Sequence, residues 1–133
     1  MKKRKSPEVL VVEDQFPTRM VAADAISDMG LCVREAGDAD EALQEMAEHP
    51  GIGVVFTDIQ MPGRINGLGL AEEIHRERPD VELIVTSGGQ KVEDSDLPDN
   101  GTFLSKPYNT SRLVKIVGEK VASRLSESDP PGG

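Results

Sequence analysis

Four places along the chain carry side chains that could do chemistry together: Glu13-Asp14, Asp58, Ser87 and Lys106. Each ends a short apolar run, namely Val9 to Val12, Val54 to Phe56, Leu83 to Val85, and Phe103-Leu104. Three carboxylates in one crevice repel, and each raises its neighbours' pKa unless a cation is present. Oxygen donors without His or Cys favour Mg²⁺ over zinc, and Mg²⁺ takes one or two carboxylates with waters and a phosphate. The three carboxylates sum to −3, a divalent ion would bring the site to −1, and Lys106 to zero. Such a site is poised to accept the negative charge of a phosphoryl group, whose transfer needs mainly positioning and electrostatic stabilisation. Asp58, a single acid facing a metal held by the Glu13-Asp14 pair, is the expected nucleophile and would form an aspartyl phosphate. Ser87 offers a hydroxyl to a phosphate oxygen, and Lys106 a compact cation. Taken one at a time these residues have ordinary roles. Asp58 could open a turn before Pro62-Gly63, Glu13-Asp14 could be a solvated turn, Ser87 a turn former before Gly88-Gly89, and Lys106 a surface lysine. Recurrence at successive strand ends is what points to a site.

To meet, these residues need strands that end along one edge. Residues 8–12 are a near-continuous β-branched run, the pattern of a strand buried on both faces. Residues 54–58, 82–87 and 102–105 read as further strands, and 31–35 as a short one. Helical spacing fills the gaps. Pro17 suits a first turn, and Val21, Ala22, Ala25, Ile26 and Met29 recur until Gly30. Asp38 with Glu41 resembles a capping box ahead of Ala42, Leu43, Met46 and Ala47, and Pro50-Gly51 closes that helix. A loop from Pro62 to Gly67 leads to a helix over 68–78 with Leu70, Ala71 and Ile74 inward, stopped by Pro79. A last helix over 111–125, capped by Asn109 or Thr110, buries Leu113, Ile116, Val117, Val121 and Leu125. Residues 90–100 offer only Val92 and Leu97 amid four acids, which predicts a short or irregular fourth helix. Alternating strands and helices imply an α/β fold, a parallel sheet covered on both faces. Ligands bind such sheets beyond the carboxyl ends of the strands.

The 133 residues suit one domain, and a net charge of −9 opposes direct nucleic-acid binding. The basic cluster Lys2 to Lys5 reads as a solvated terminus. A single Cys32 excludes an internal disulfide and suggests a reducing compartment. No apolar run approaches the ~20 residues that span a bilayer, so a cytoplasmic protein without membrane contact is expected. The expected partition is a basic disordered N-terminus at 1–7, a folded domain at 8–125 and a disordered polar tail at 126–133.

Four stretches now resemble a known family, the receiver domains of two-component response regulators. They are Val9-Leu-Val-Val-Glu-Asp14, Val54-Val-Phe-Thr-Asp-Ile-Gln-Met-Pro-Gly63, Leu83-Ile-Val-Thr-Ser-Gly88 and Phe103-Leu-Ser-Lys-Pro-Tyr108. The resemblance implies a flavodoxin-like, doubly wound five-stranded sheet in the order 2-1-3-4-5 with about five helices. It implies that Asp58 is the phosphoacceptor, and that Glu13, Asp14, Asp58 and the backbone carbonyl of Gln60 bind Mg²⁺. It further implies that Ser87 is the switch hydroxyl, Lys106 the phosphate partner and Phe103 the aromatic switch, with a cis Lys106-Pro107 bond. The phosphoryl group would come from a histidine kinase or a histidine phosphotransfer protein, and a downstream protein target would read the result. The chain would catalyse only its own phosphorylation and dephosphorylation, as a monomer or a weak phosphorylation-dependent dimer. No output domain is expected after Leu125. That leaves a stand-alone regulator, a phosphate sink between kinases, or a receiver cut from a larger regulator or hybrid kinase. Readings from other classes fit less well. A haloacid-dehalogenase-type phosphohydrolase would want an acid where Gln60 stands, a P-loop nucleotidase would need its glycine-lysine signature, and a flavin binder rests on fold alone.

Overall fold

The computed structural model describes residues 6–89, 92–98 and 101–128. Five strands, β1 (Glu8–Val12), β2 (Val33–Ala36), β3 (Ile52–Asp58), β4 (Glu82–Ser87) and β5 (Gly101–Ser105), pair in parallel in the order β2-β1-β3-β4-β5. Between and after them come α1 (Phe16–Ser27), α2 (Ala39–Glu48), α3 (Gly67–Glu77) and α4 (Thr110–Ser128). This is the expected doubly wound sheet. Its strand order reverses between β1 and β3, where such folds open a crevice.

β3 and β4 are buried at every position, as their unbroken apolar runs require when helices cover both faces. Successive side chains along a strand point to opposite faces, so the core has two layers. Leu10, Val12, Val55, Leu83 and Val85 pack with Ala42, Met46, Leu70 and Ile74 of α2 and α3. Val9, Val11, Val54, Phe56, Ile84 and Leu104 pack with Ala22, Ile26, Leu113 and Val117 of α1 and α4. Asp38 caps α2 by accepting Glu41 N–H at 2.8 Å, and Asn66 caps α3 by accepting Gly69 N–H at 3.0 Å.

Some elements differ from expectation. α1 buries Ala22, Ala23 and Ile26 but turns Val21 outward at 56% exposure, because a face centred on 22 and 26 leaves 21 at its margin. On α2, Ala47 is exposed rather than inward. Among the described residues four α-helices stand, and the fourth helix expected to be short or irregular is a single 3₁₀ turn at Asp94–Asp96. Two apolar anchors five residues apart, Val92 and Leu97, suffice for one turn, and Glu93 and Asp96 close it by bonding each other's backbone. α4 continues to Ser128, through three residues assigned to the polar tail, since no breaker precedes Pro130. The rest of that tail (129–133) and residues 1–5 of the N-terminus lie outside the described residues. No described helix is long and apolar enough to cross a membrane.

Candidate functional site

β3 delivers Asp58 to the C-terminal edge of the sheet, where the residue is buried. The chain turns at once: Ile59 N–H donates to Thr86 O at 2.9 Å and Gln60 N–H to Asp58 Oδ1 at 3.1 Å. The loop then folds back so closely that Gly67 N–H donates to Ile59 O at 3.0 Å. A Cβ at Gly67 would overlap the Asp58 carbonyl oxygen, so only glycine permits this return. Asp58 is therefore fixed by backbone on both sides.

Glu13 leaves the end of β1 in the same direction. Its amide donates to Ala36 O at 3.0 Å, its Oε2 accepts Gln15 N–H at 3.1 Å, and its carbonyl accepts from Arg19 at 2.9 Å. Lys106 follows β5 and is tied to β4 by its amide, which donates to Ser87 O at 3.1 Å. Its Nζ reaches Asp58 Oδ2 at 2.7 Å and stands 3.5 Å from Glu13 Oε1. The Lys106-Pro107 bond is cis. Residues 13, 58 and 106, far apart in sequence, thus meet around one ammonium group.

The charges do not balance. Burial, together with the nearby Asp58 and Asp14 carboxyls, outweighs the Gln15 amide bond and pushes Glu13 up to about 7. Burial acts against the Lys106 ammonium, yet its bond to Asp58 and the charges of Asp58 and Glu13 hold it above the ordinary lysine range. Lys106 sits closer to Asp58 than to Glu13, so Glu13 is left under-compensated. The donor set is all oxygen and too negative for one lysine, which is the electrostatic situation a bound Mg²⁺ relieves. The residues present fit that ion.

Asp14 is exposed beside Glu13, and Gln60 is exposed with its amide on Asp58. The Glu13 carboxyl stands beside those of both Asp58 and Asp14, and Lys106 reaches Glu13 and Asp58. Elsewhere, Glu45, Glu48 and His49 cluster at the end of α2, an outcome of helical spacing with a 3.7 Å contact between Glu45 and His49.

Ser87 is buried at the end of β4, and its Oγ accepts Gly89 N–H at 3.4 Å. Sequence reasoning missed Thr86. The register pairs Asp58 with Thr86, so these two side chains share a sheet face while Ser87 falls on the other. The Thr86 hydroxyl donates to Leu104 O at 2.6 Å. Alternation along β4 turns Thr86 to the face opposite Val85, which packs with α2 and α3, and only the register adds that Asp58 shares that face. Phe103, half-buried, packs on that same α2 and α3 layer. Tyr108, also missed, meets Phe56 edge-on at 5.8 Å. It lines a groove of about 510 Å³ with Thr18, Val21, Gly88, Lys106 and Pro107.

The sequence profile of the response regulator receiver domain matches residues 9–118. The chain belongs to this family. Among curated relatives of this receiver domain, the nitrogen assimilation regulatory protein NtrX of Azorhizobium caulinodans is 36% identical over 114 residues, 82% of this chain and 25% of that protein. The sensor kinase CckA of Brucella abortus is 35% identical over 86% of this chain and 12% of its own. The aerobic respiration control protein ArcA of Escherichia coli is 34% identical over 82% and 46%. The chain thus spans less than half the length of each of these relatives. The crystal structure of the NtrX receiver domain from Brucella abortus superposes with a TM-score of 0.79 at 30% identity, covering 87% of this chain and 99% of that one. A CheY-like receiver from Methanospirillum hungatei, at 24% identity and a TM-score of 0.81, shares the fold.

Proposed function

We propose that the chain is a signalling switch that takes a phosphoryl group onto Asp58 from the phosphohistidine of a kinase or phosphotransfer protein. In that step the donor's N–P bond breaks and a bond forms between phosphorus and an Asp58 carboxylate oxygen. The observation that carries the reading is the meeting of Asp58, Glu13 and Lys106 at one strand edge, with Nζ at 2.7 Å from the expected acceptor. Glu13, Asp14, Asp58 and the Gln60 carbonyl would hold Mg²⁺, which supplies positive charge opposite the phosphoryl oxygens. Lys106 stands ready to bond one of those oxygens in exchange for its contact with Asp58 Oδ2.

A hydroxyl at the end of β4 would take another. Ser87 is the residue expected from sequence; Thr86 has the better phase, at the price of its bond to Leu104 O. Movement there vacates space into which Phe103 can turn, altering the surface a protein target reads. The groove beside Lys106 and the exposed Phe16, Met20 and Val21 of α1 adjoin the site, a surface suited to the donor protein. The matching stretch occupies 12–46% of the curated relatives named above, which supports a second reading in which the switch works inside a larger regulator or hybrid kinase.

Incubation with acetyl phosphate and Mg²⁺ tests the proposal. Wild type should gain the mass of one phosphoryl group and Asp58→Asn should not; equal labelling of both, or of neither, would overturn it. Thr86→Val and Ser87→Ala separate the two hydroxyls, the one in use losing the response of Phe103 to phosphorylation.

A further inference from the structure

β5 is the last strand of the sheet, and among the described residues its outer side is covered by the strap at 92–98. In a parallel ladder alternate residues bond each neighbour, and the outward-facing amides of β5 include those of Gly101 and Phe103. Both are met by the strap: Gly101 N–H donates to Pro98 O at 3.0 Å, and Phe103 N–H to Asp94 Oδ1 at 2.8 Å. The approach is close. A Cβ on Gly101 would lie 2.8 Å from Leu97 Cβ and 2.9 Å from Pro98 O, so glycine is needed for the strap to lie there. Val92 and Leu97 sink into the layer on which Phe103 packs.

Within the strap, Glu93 and Asp96 are used on each other. Asp94 instead reaches out to another element. A carboxylate that covers an edge amide is a common guard against strand-to-strand aggregation. Here, however, the amide it grips belongs to the expected aromatic switch. The strap also follows β4, whose last residues adjoin Lys106; a Cβ on Gly88 would lie 3.4 Å from Lys106 Cβ.

We propose that Asp94 is a positioning residue that clamps the β5 backbone at Phe103 to the strap, so that movement at the end of β4 reaches the aromatic side chain. The role in signalling rests on the switch reading above; the clamp itself does not. Neither end of it is in the phosphorylation chemistry.

The chain has three phenylalanines, so fluorophenylalanine labelling gives three ¹⁹F lines, with Phe103 assigned by Phe103→Leu. In Asp94→Ala the Phe103 amide should exchange at least tenfold faster and its fluorine line should move, while exchange at the core amide of Val11 stays as in wild type. Asp94→Asn, whose Oδ1 can accept the same bond, should restore both. With Mg²⁺ and beryllofluoride the wild-type Phe103 line should shift; Asp94→Ala should bind beryllofluoride equally well and show that shift reduced severalfold. Wild-type exchange at Phe103 in Asp94→Ala, failure of Asp94→Asn to rescue, or an undiminished beryllofluoride shift would each overturn the proposal. A wild-type chain silent to beryllofluoride would instead refute the phosphorylation reading and leave the resting-state comparison to decide the clamp.

Discussion

Lys106 serves two carboxylates with one charge, and the consequences can be measured residue by residue. Removing it in Lys106→Ala leaves Asp58 and Glu13 facing each other without a cation. Phosphorylation by acetyl phosphate should persist at a reduced level, while the affinity for a downstream partner no longer responds to it. A partner affinity that still tracks phosphorylation in the variant counts against this role. Glu13 gives a pH signature. Its folded pKa of about 7 lies above the ordinary 4.5, so the folded protein holds the extra proton between those values. The associated stability is fully present below the lower value and is lost as pH rises through the upper one. In Mg²⁺-free buffer, denaturant titrations from pH ~5 to ~8 should show wild-type stability falling relative to Glu13→Gln. A constant difference between the two would mean that the Glu13 carboxyl is not perturbed. With Mg²⁺ present the trend in binding reverses, because the ion needs the deprotonated acid and affinity should rise with pH.

At the scale of elements, the site depends on how strands end and how the chain leaves them. β3 could stop at Asp58 and still misplace it if the following loop took another course. Gly67 closes that loop against the Asp58 carbonyl, and Asn66 caps the helix that begins there. These neighbours should behave differently when changed to alanine. Asn66→Ala removes one capping bond, costing about 1 kcal/mol of stability in denaturant titration, and should leave phosphorylation intact. Gly67→Ala forces a methyl into backbone, costing at least ~2 kcal/mol, and should also slow labelling of Asp58. Equal and mild effects from both would show that the loop has room to relax. The segment at 92–98 is the opposite case, an element reduced to one turn and kept in place by two apolar anchors and Asp94.

For the whole molecule, a chain of net charge −9 buries two acids, Glu13 and Asp58, at the carboxyl edge of its sheet. Anything that binds the folded state alone raises its stability by mass action. Mg²⁺ should therefore raise the melting temperature beyond what NaCl of equal ionic strength achieves, and Asp14→Asn should remove most of that excess. Identical shifts from the two salts in wild type would mean general screening rather than a site.

The strands, the layered core and the meeting of Glu13, Asp58 and Lys106 were legible in the sequence, and the strand order came with the family resemblance. Apolar runs ended by acids, a serine and a lysine are local patterns, and right-handed crossovers restrict how parallel strands buried on both faces connect. Three things were decided only in three dimensions. Which β4 hydroxyl shares a face with Asp58 follows from register, a relation between strands that neither strand encodes alone. That Lys106 lies nearer Asp58 than Glu13, leaving Glu13 protonatable near neutral pH, follows from distances of 2.7 and 3.5 Å that no spacing in sequence specifies. That Asp94 binds Phe103 rather than water follows from a strap packed against the free edge of the sheet. In each case the deciding quantity is a contact between segments whose mutual placement is set by packing, and sequence periodicity describes only one segment at a time.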